Sequence, residues 1–174
     1  MKRCIDDSQA GQKCELRLMN IFPDVWNVLH DGSIDALSGT VPGTLQIDVS
    51  IEYLRERFAD PGTIIRLTLK ECSHFAFIGF DTTVAITCLS TLAALEPEIL
   101  SATMNGDICE IICVEGILRI AANSGSIELD NGRPITLDEL VSEAEKYWRE
   151  WKERSQREYE VRIRRENAKR SADS

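Results

Sequence analysis

Between Thr44 and Tyr53 apolar and polar residues alternate without a fault, with Leu45, Ile47, Val49, Ile51 and Tyr53 set against Thr44, Gln46, Asp48, Ser50 and Glu52. A period of two belongs to a strand, so the stretch predicts a strand with one buried and one wet face. Such a strand needs neighbours, and the chain supplies them. Ile34 to Thr40 precedes it, and Val41-Pro42-Gly43 between the two has the residues of a type II turn, predicting a hairpin or a tight corner. Ile64 to Leu69 and Phe75 to Phe80 form a further candidate pair around Glu71-Cys72-Ser73. Asn105-Gly106 predicts a type I′ hairpin turn leading into Ile108 to Val114, and Glu115-Gly116, Ser124-Gly125 and Asn131-Gly132 punctuate the segments after it. Strands this short and this closely spaced predict a meander. A parallel sheet would need helices alternating regularly with the strands, and they are missing. Between Thr82 and Ala102, Ser90 to Leu95 reads either as a short helix ended by Pro97 or as strand and loop.

The period changes near the C-terminus. Thr136-Leu137-Asp138-Glu139 is a Thr-x-x-Glu capping box, the start signal of a helix. Leu137, Leu140, Val141, Ala144, Trp148 and Trp151 then recur at helical spacing and give an apolar stripe. Beyond Trp151 the pattern becomes Glu150/Arg154, Glu153/Arg157, Glu158/Arg162 and Glu160/Arg164, each Glu four residues before an Arg, which supports a solvated helix. A helix of about 32 residues would measure roughly 48 Å, longer than a domain of this size can cover. The far end is therefore either a solvated, fraying tail or a partner-docking arm presenting Tyr159, Val161 and Ile163. The fold class implied is α+β: mainly antiparallel β-sheet, or two packed sheets, with a long C-terminal α-helix crossing one face and anchored by Trp148 and Trp151. Residues 1–20 lack a consistent period and read as a partly mobile segment in which Leu16, Leu18 and Ile21 offer a short opening strand. Residues 21–154 make one β-rich domain with the packed helix from about 137, and residues 155–174 the charged tail.

Composition narrows the function. With 174 residues and 43% apolar side chains, the chain can build a single core. Its formal net charge of −9 is unevenly spread. From Arg149 to Ser174 there are nine Lys/Arg and six Asp/Glu, a local +3, whereas residues 1–148 carry eleven against twenty-three, or −12. An acidic body argues against direct nucleic-acid binding, which needs clustered Lys and Arg. The opening residues lack a signal-peptide apolar run, and no stretch approaches the length of a membrane helix, so a soluble, cytoplasmic protein is expected. Without a secretory signal, Cys4, Cys14, Cys72, Cys88, Cys109 and Cys113 read as reduced thiols and small buried hydrophobes. On a strand, Cys109 and Cys113 share a face but lie roughly 13 Å apart, too far for one metal ion.

Catalytic motifs are missing: there is no nucleophile elbow, phosphate loop, His-Glu-x-x-His or Cys-x-x-Cys. No catalytic residue, metal site or cofactor is expected. Four features remain. His30-Asp31-Gly32 sets an imidazole beside a carboxylate, as acid–base chemistry would, but Asp-Gly is also a turn signal. Cys72-x-His74 would place two zinc-type ligands about 7 Å apart on one strand face, without a second pair. Glu96-Pro97-Glu98 reads as a turn. On the polar strand face, Asp48 and Glu52 point the same way and, with the loop residue Asp35, make an acidic patch for a basic partner, where the alternative is an ordinary solvated sheet face.

The segment Trp26-Asn27-Val28-Leu29-His30-Asp31-Gly32-Ser33-Ile34, followed by a strand pair, resembles the opening of small bacterial immunity proteins of polymorphic or contact-dependent toxin systems. The chain is also similar to other bacterial β-rich proteins with a Val-Pro-Gly corner, a following Tyr53-Leu54-Arg55, and a closing Gly132-Arg133-Pro134 before a Leu-rich helix ending in Tyr147-Trp148. The likeness spans most of residues 22–151. It implies a non-catalytic protein that neutralises one cognate toxin, often a basic nuclease, and the acidic body suits a basic protein partner. The partner-binding residues expected are Asp48, Glu52, Asp35, His30 and Asp31. The alternative is a small-molecule or adaptor-binding β domain, with His30 near the ligand or the C-terminal arm engaging another protein. Either reading accommodates a homodimer through Tyr147, Trp148 and Trp151.

Overall fold

The computed structural model describes the backbone of residues 16–17 and 22–172, and the side chains of residues 22–164. Along the chain run β1 (Leu16–Arg17), α1 (Phe22–Val28), β2 (Ser33–Gly39), β3 (Gly43–Ser50), α2 (Glu52–Arg55), β4 (Ile64–Cys72), β5 (His74–Gly79), β6 (Ala85–Ile86), α3 (Leu89–Ala93), β7 (Ile99–Asn105), β8 (Ile108–Cys113), β9 (Gly116–Ala121), β10 (Ser124–Leu129), β11 (Pro134–Ile135) and α4 (Leu137–Ala172). Every pairing is antiparallel. The first sheet has the order β1-β10-β4-β3-β2, with β11 also on β10, and the second β6-β5-β9-β8-β7. With the long terminal helix this is the α+β architecture expected. The expectation of a partly mobile segment over residues 1–20 falls, apart from β1, outside the described residues.

The two sheets share one interior because two long strands run through both. β4 and β5 do not form the hairpin expected around Glu71-Cys72-Ser73. Glu71 takes a left-handed φ of 51° and bends the chain, so β5 leaves the first sheet and continues in the second. The antiparallel return is β9 followed by β10: β9 pairs with β5 and β10 with β4, so a bent ribbon joins the sheets at one corner. At the opposite side β2 meets β7. The Asp31 amide donates to the Ile99 carbonyl at 2.8 Å, the Ile99 amide to Gly32 at 2.9 Å, and the Ile34 amide to Pro97 at 3.1 Å. A bridge between Ser33 and Glu98 completes this seam.

Period-two patterning fills the space between. Leu45, Ile47 and Val49 of β3, Ile65, Leu67 and Leu69 of β4, and Cys109, Ile111 and Cys113 of β8 all point into one continuous apolar cluster. Fully burying a Leu or Ile contributes about 1.5 to 3 kcal/mol, so this alternation is the main stabilising term. Cys109 and Cys113 lie there as small hydrophobes, but Cys88 is exposed, against expectation. The Val-Pro-Gly corner is a hairpin joining β2 to β3, with a cis Val41–Pro42 peptide and Gly39 at φ 112°. A Cβ at Gly39 would lie 2.1 Å from the Thr44 carbonyl oxygen, so only glycine fits. The Asn105-Gly106 signal also marks a hairpin, shifted by one: Asn105 pairs with Ile108, and Gly106 and Asp107 form the loop.

Helices close the ends. Phe22, Val25, Trp26 and Leu29, spaced three and four apart, bury one face of α1 against β7 and β8. α4 starts as its capping box predicts: Thr136 Oγ1 accepts from the Glu139 amide at 3.1 Å and Glu139 Oε2 from the Thr136 amide at 2.8 Å. It does not cross a sheet face, however. Leu140 and Ala144 are its buried residues, and it packs chiefly on α1 and α2, because those helices already occupy the open end of the core. No described helix is long and apolar enough to cross a membrane.

Below this end lies the one buried charged residue described, Arg55 of α2. Its guanidinium reaches Asp130 Oδ1 at 2.6 and 3.2 Å and donates to the carbonyls of Asp60 and Pro61. Asp130 Oδ2 in turn accepts from the Thr63 amide at 2.9 Å. Burial alone would raise the Asp130 carboxyl, but Arg55 and the Thr63 and Ile64 amides together hold it below the ordinary carboxylate range.

Candidate functional site

The β2–β7 seam gathers acids from distant parts of the chain. β2 carries a bulge between Ile34 and Ala36, and this re-aims Asp35 outward. Across the seam Glu96 holds a left-handed φ of 47° in the turn before β7, a conformation that favours glycine over a long side chain. Burial first, then Glu96 and Asp48, push the Asp35 carboxyl above its ordinary pKa, against a hydrogen bond from Ser50. Like charges are thus crowded around Asp35, with Asp31 and Glu98 further along the same seam.

The expected acidic patch is only partly assembled. Asp48 does stand on the polar face of β3, but it is bound in a two-pronged pair by Arg66 of β4 at 2.7 and 2.8 Å. Glu128 of β10 stands opposite Arg66 on its other side, so this row alternates in sign. Glu52 is not on the strand. β3 ends at Ser50 and Glu52 opens α2, because the last two alternating positions, Glu52 and Tyr53, belong to a turn of helix that buries Leu54 and Arg55. Asp35 and Asp48 share the seam region, whereas Glu52 is exposed in α2.

His30 and Asp31 lie where the end of the seam meets the exit of α4 from the body. His30 Nδ1 is 3.0 Å from Asp31 Oδ2, and Asp31 has φ 64°, so the pair is held by a tight turn. The imidazole stacks on Trp148 with ring centres 5.0 Å apart. Tyr53 donates its hydroxyl to the His30 carbonyl at 2.9 Å and packs on Tyr147 at 4.4 Å. Trp151 meets the edge of this cluster at 5.9 Å from Trp148. Burial, then Asp31, then Tyr147 raise the Tyr53 hydroxyl far above its ordinary pKa, keeping it a neutral donor. The arrangement seats a helix. His30 is engaged on its ring face and at Nδ1, which is a positioning role.

Beside this junction is a groove of about 500 Å³ between α4 and the loop after α2, lined by Arg57, Phe58, Arg133, Glu139, Glu143 and Lys146 among others. Its charges satisfy one another: Arg57 with Glu150 and Glu143, Lys146 with Glu143, Arg133 with Asp60. Arg57 grips both Glu150 oxygens at 2.9 and 2.8 Å, so Glu150 pairs with Arg57 and not with Arg154 as expected. Cys72 is buried and donates to the His74 carbonyl at 3.4 Å, so the two do not present ligands side by side. Among the described residues no group of three His, Cys, Asp or Glu side chains converges as a metal site requires.

No protein-family model, curated protein or solved structure matches this chain. In sequence Glu96 reads only as a turn residue, and its partner Asp35 is 61 positions away. Arg57, which holds the exit of α4, belongs to no motif either. The signal available for Glu96 is the Pro97 after it, which restricts the preceding residue and hints at a special backbone.

Proposed function

We propose that this chain is a non-catalytic protein-binding protein that neutralises a basic bacterial toxin, as its resemblance to immunity proteins implies, and that the seam around Asp35 and Glu96 is its contact surface. The observation that carries this reading is the placing of Asp35 beside Glu96, where burial first and then the Glu96 charge raise the Asp35 carboxyl, with a smaller addition from Asp48, itself held by Arg66. Like charges held together cost the isolated fold, and a cation from a partner relieves the repulsion. Glu96 adds a second cost through its left-handed backbone, and strain retained at a surface turn is a mark of use. The −12 charge of residues 1–148 extends the attraction beyond contact and speeds encounter with a basic protein. Asp31 sits further along the same seam, and His30 fixes its side chain there.

Co-expression tests the reading. Toxins encoded by the native host are induced with and without this chain. Wild type is expected to restore growth against one basic toxin, and Asp35→Lys/Glu96→Lys to lose that protection at equal protein level. Failure of the wild type against every basic toxin of the host would overturn it.

A further inference from the structure

α4 outlasts its own body. After Trp148 it loses the aromatic seat, yet it remains helical to Ala172, roughly 36 Å further at 1.5 Å per residue. Trp151, Tyr159 and Val161 are 45%, 52% and 47% exposed along it. Trp151, Ser155, Tyr159 and Ile163, four residues apart, extend the packed stripe of Leu140, Ala144 and Trp148 into solvent. Lys152 and Arg162 lie on the side of this stripe, Arg162 over the Tyr159 ring at 5.4 Å, while Arg157 and Arg164 turn to the far side with Val161. Arg57 and the His30–Trp148 stack fix where the helix leaves, so the arm is held out in a set direction. Its Glu/Arg pairs help it stand in water, but helices in proteins take most of their stability from packing an apolar face on a partner.

The arm's charge of +3 disfavours the basic protein assigned to the seam, and calls for an acidic, partly apolar surface. The second sheet has one. On its outer face Leu100, Ile112 and Val114 are exposed at 45%, 37% and 50%. They are neighbours: Ser101 stands opposite Ile112, and the Val114 amide donates to the Glu98 carbonyl at 3.0 Å. Phe80, 62% exposed, follows β5, and its amide donates to the Glu115 carbonyl at 3.2 Å. Glu98 and Glu115 therefore rim an apolar patch, as Lys152 and Arg162 border the arm's stripe.

We propose that the arm of one copy docks on the acid-rimmed patch of Leu100, Ile112 and Val114 in a second copy, so that two chains exchange arms in a twofold dimer. Both halves of the contact lie on one sequence, and reciprocal exchange closes the assembly at two. Asp35, Asp48 and Glu96 take no part in it, and Glu98, further along the seam, is the acid that the two surfaces share.

Sedimentation of the full-length chain over a concentration series tests it, with circular dichroism verifying that each variant is folded. The expected species at higher concentration has twice the 19.6 kDa chain mass. Ile112→Lys, Glu98→Lys/Glu115→Lys and Lys152→Glu/Arg162→Glu are each expected to weaken it at least about tenfold, and the two charge reversals combined in one chain to restore it. A monomer at every concentration up to about 100 μM overturns the proposal. So does a dimer indifferent to Ile112→Lys, the result that pairing of arm with arm would give, and so does failure of the combined reversal to restore association.

Discussion

The guanidinium of Arg57 spans both carboxylate oxygens of Glu150, at 2.9 and 2.8 Å, and this contact bridges 93 residues of sequence. Glu150 lies just past Trp148 in the aromatic seat, so the pair is the outermost fastening of α4 to the body. Arg57→Ala is expected to leave the global unfolding midpoint nearly unchanged, since the pair is largely exposed. Amide exchange over residues 149–164 should nevertheless accelerate, and exchange in α4 before Ala144 should not. Uniform acceleration along α4 would contradict the assignment.

Arg55 and Asp130 pose the opposite case, because the arginine is fully buried. Asp130→Asn leaves that charge poorly compensated and is expected to cost about 3 kcal/mol in urea unfolding at neutral pH. The sign with pH comes from the depressed carboxyl. Its contribution is complete above the ordinary Asp pKa of about 4 and is lost as pH falls through the lower folded value. The gap between wild type and Asp130→Asn should therefore shrink on acidification; a gap that widened would refute the linkage.

Thiols divide by environment. Ser90 first, then Thr91, draw the exposed Cys88 thiol down to about 7 by hydrogen bonding. Burial pushes Cys109 and Cys113 up to about 12. Iodoacetamide at about pH 7.5, read by peptide mapping, should alkylate Cys88 and spare Cys72, Cys109 and Cys113. Ser90→Ala should move the half-maximal rate at Cys88 to higher pH. An unmoved profile would mean that the hydroxyl does not hold the thiolate.

Glu96 separates stability from function. Glycine accommodates φ 47° without penalty, so Glu96→Gly should stabilise the fold by about 1 kcal/mol in thermal unfolding. The same change removes one of the acids that face Asp35, and partner affinity should fall. Gain of stability with unchanged protection against the toxin would place the contact elsewhere.

Legibility in the sequence depends on how local each signal is. The capping box at Thr136 and Glu139 and the alternation of β3 are complete within a few residues; the first appears in the fold as expected, and the second does so as far as Ser50. The helical spacing of Phe22, Val25, Trp26 and Leu29 is equally local, but it spans barely two turns and contains Pro23, which obscures it although a first turn accepts proline. β7 lacks a clear pattern because a bulge between Ile99 and Ser101 breaks its period. The bend at Glu71 carries no residue signal, since a left-handed glutamate is set by the two sheets around it. For the same reason the seam is hidden: Asp35 and Glu96 become neighbours only once β2 meets β7.

Parallel affinity capture shows whether the Asp35–Glu96 seam holds a basic protein. Tagged wild type and tagged Asp35→Lys/Glu96→Lys are exposed to lysate of the native host at roughly 0.15 M salt, and the bound proteins are quantified by mass spectrometry. The account predicts one basic protein at a one-to-one ratio on the wild type, depleted at least about tenfold on the variant, whose toxic activity stops on mixing with the wild type. Equal capture by both baits, or no basic protein on the wild type from cells shown to make their toxins, would contradict it.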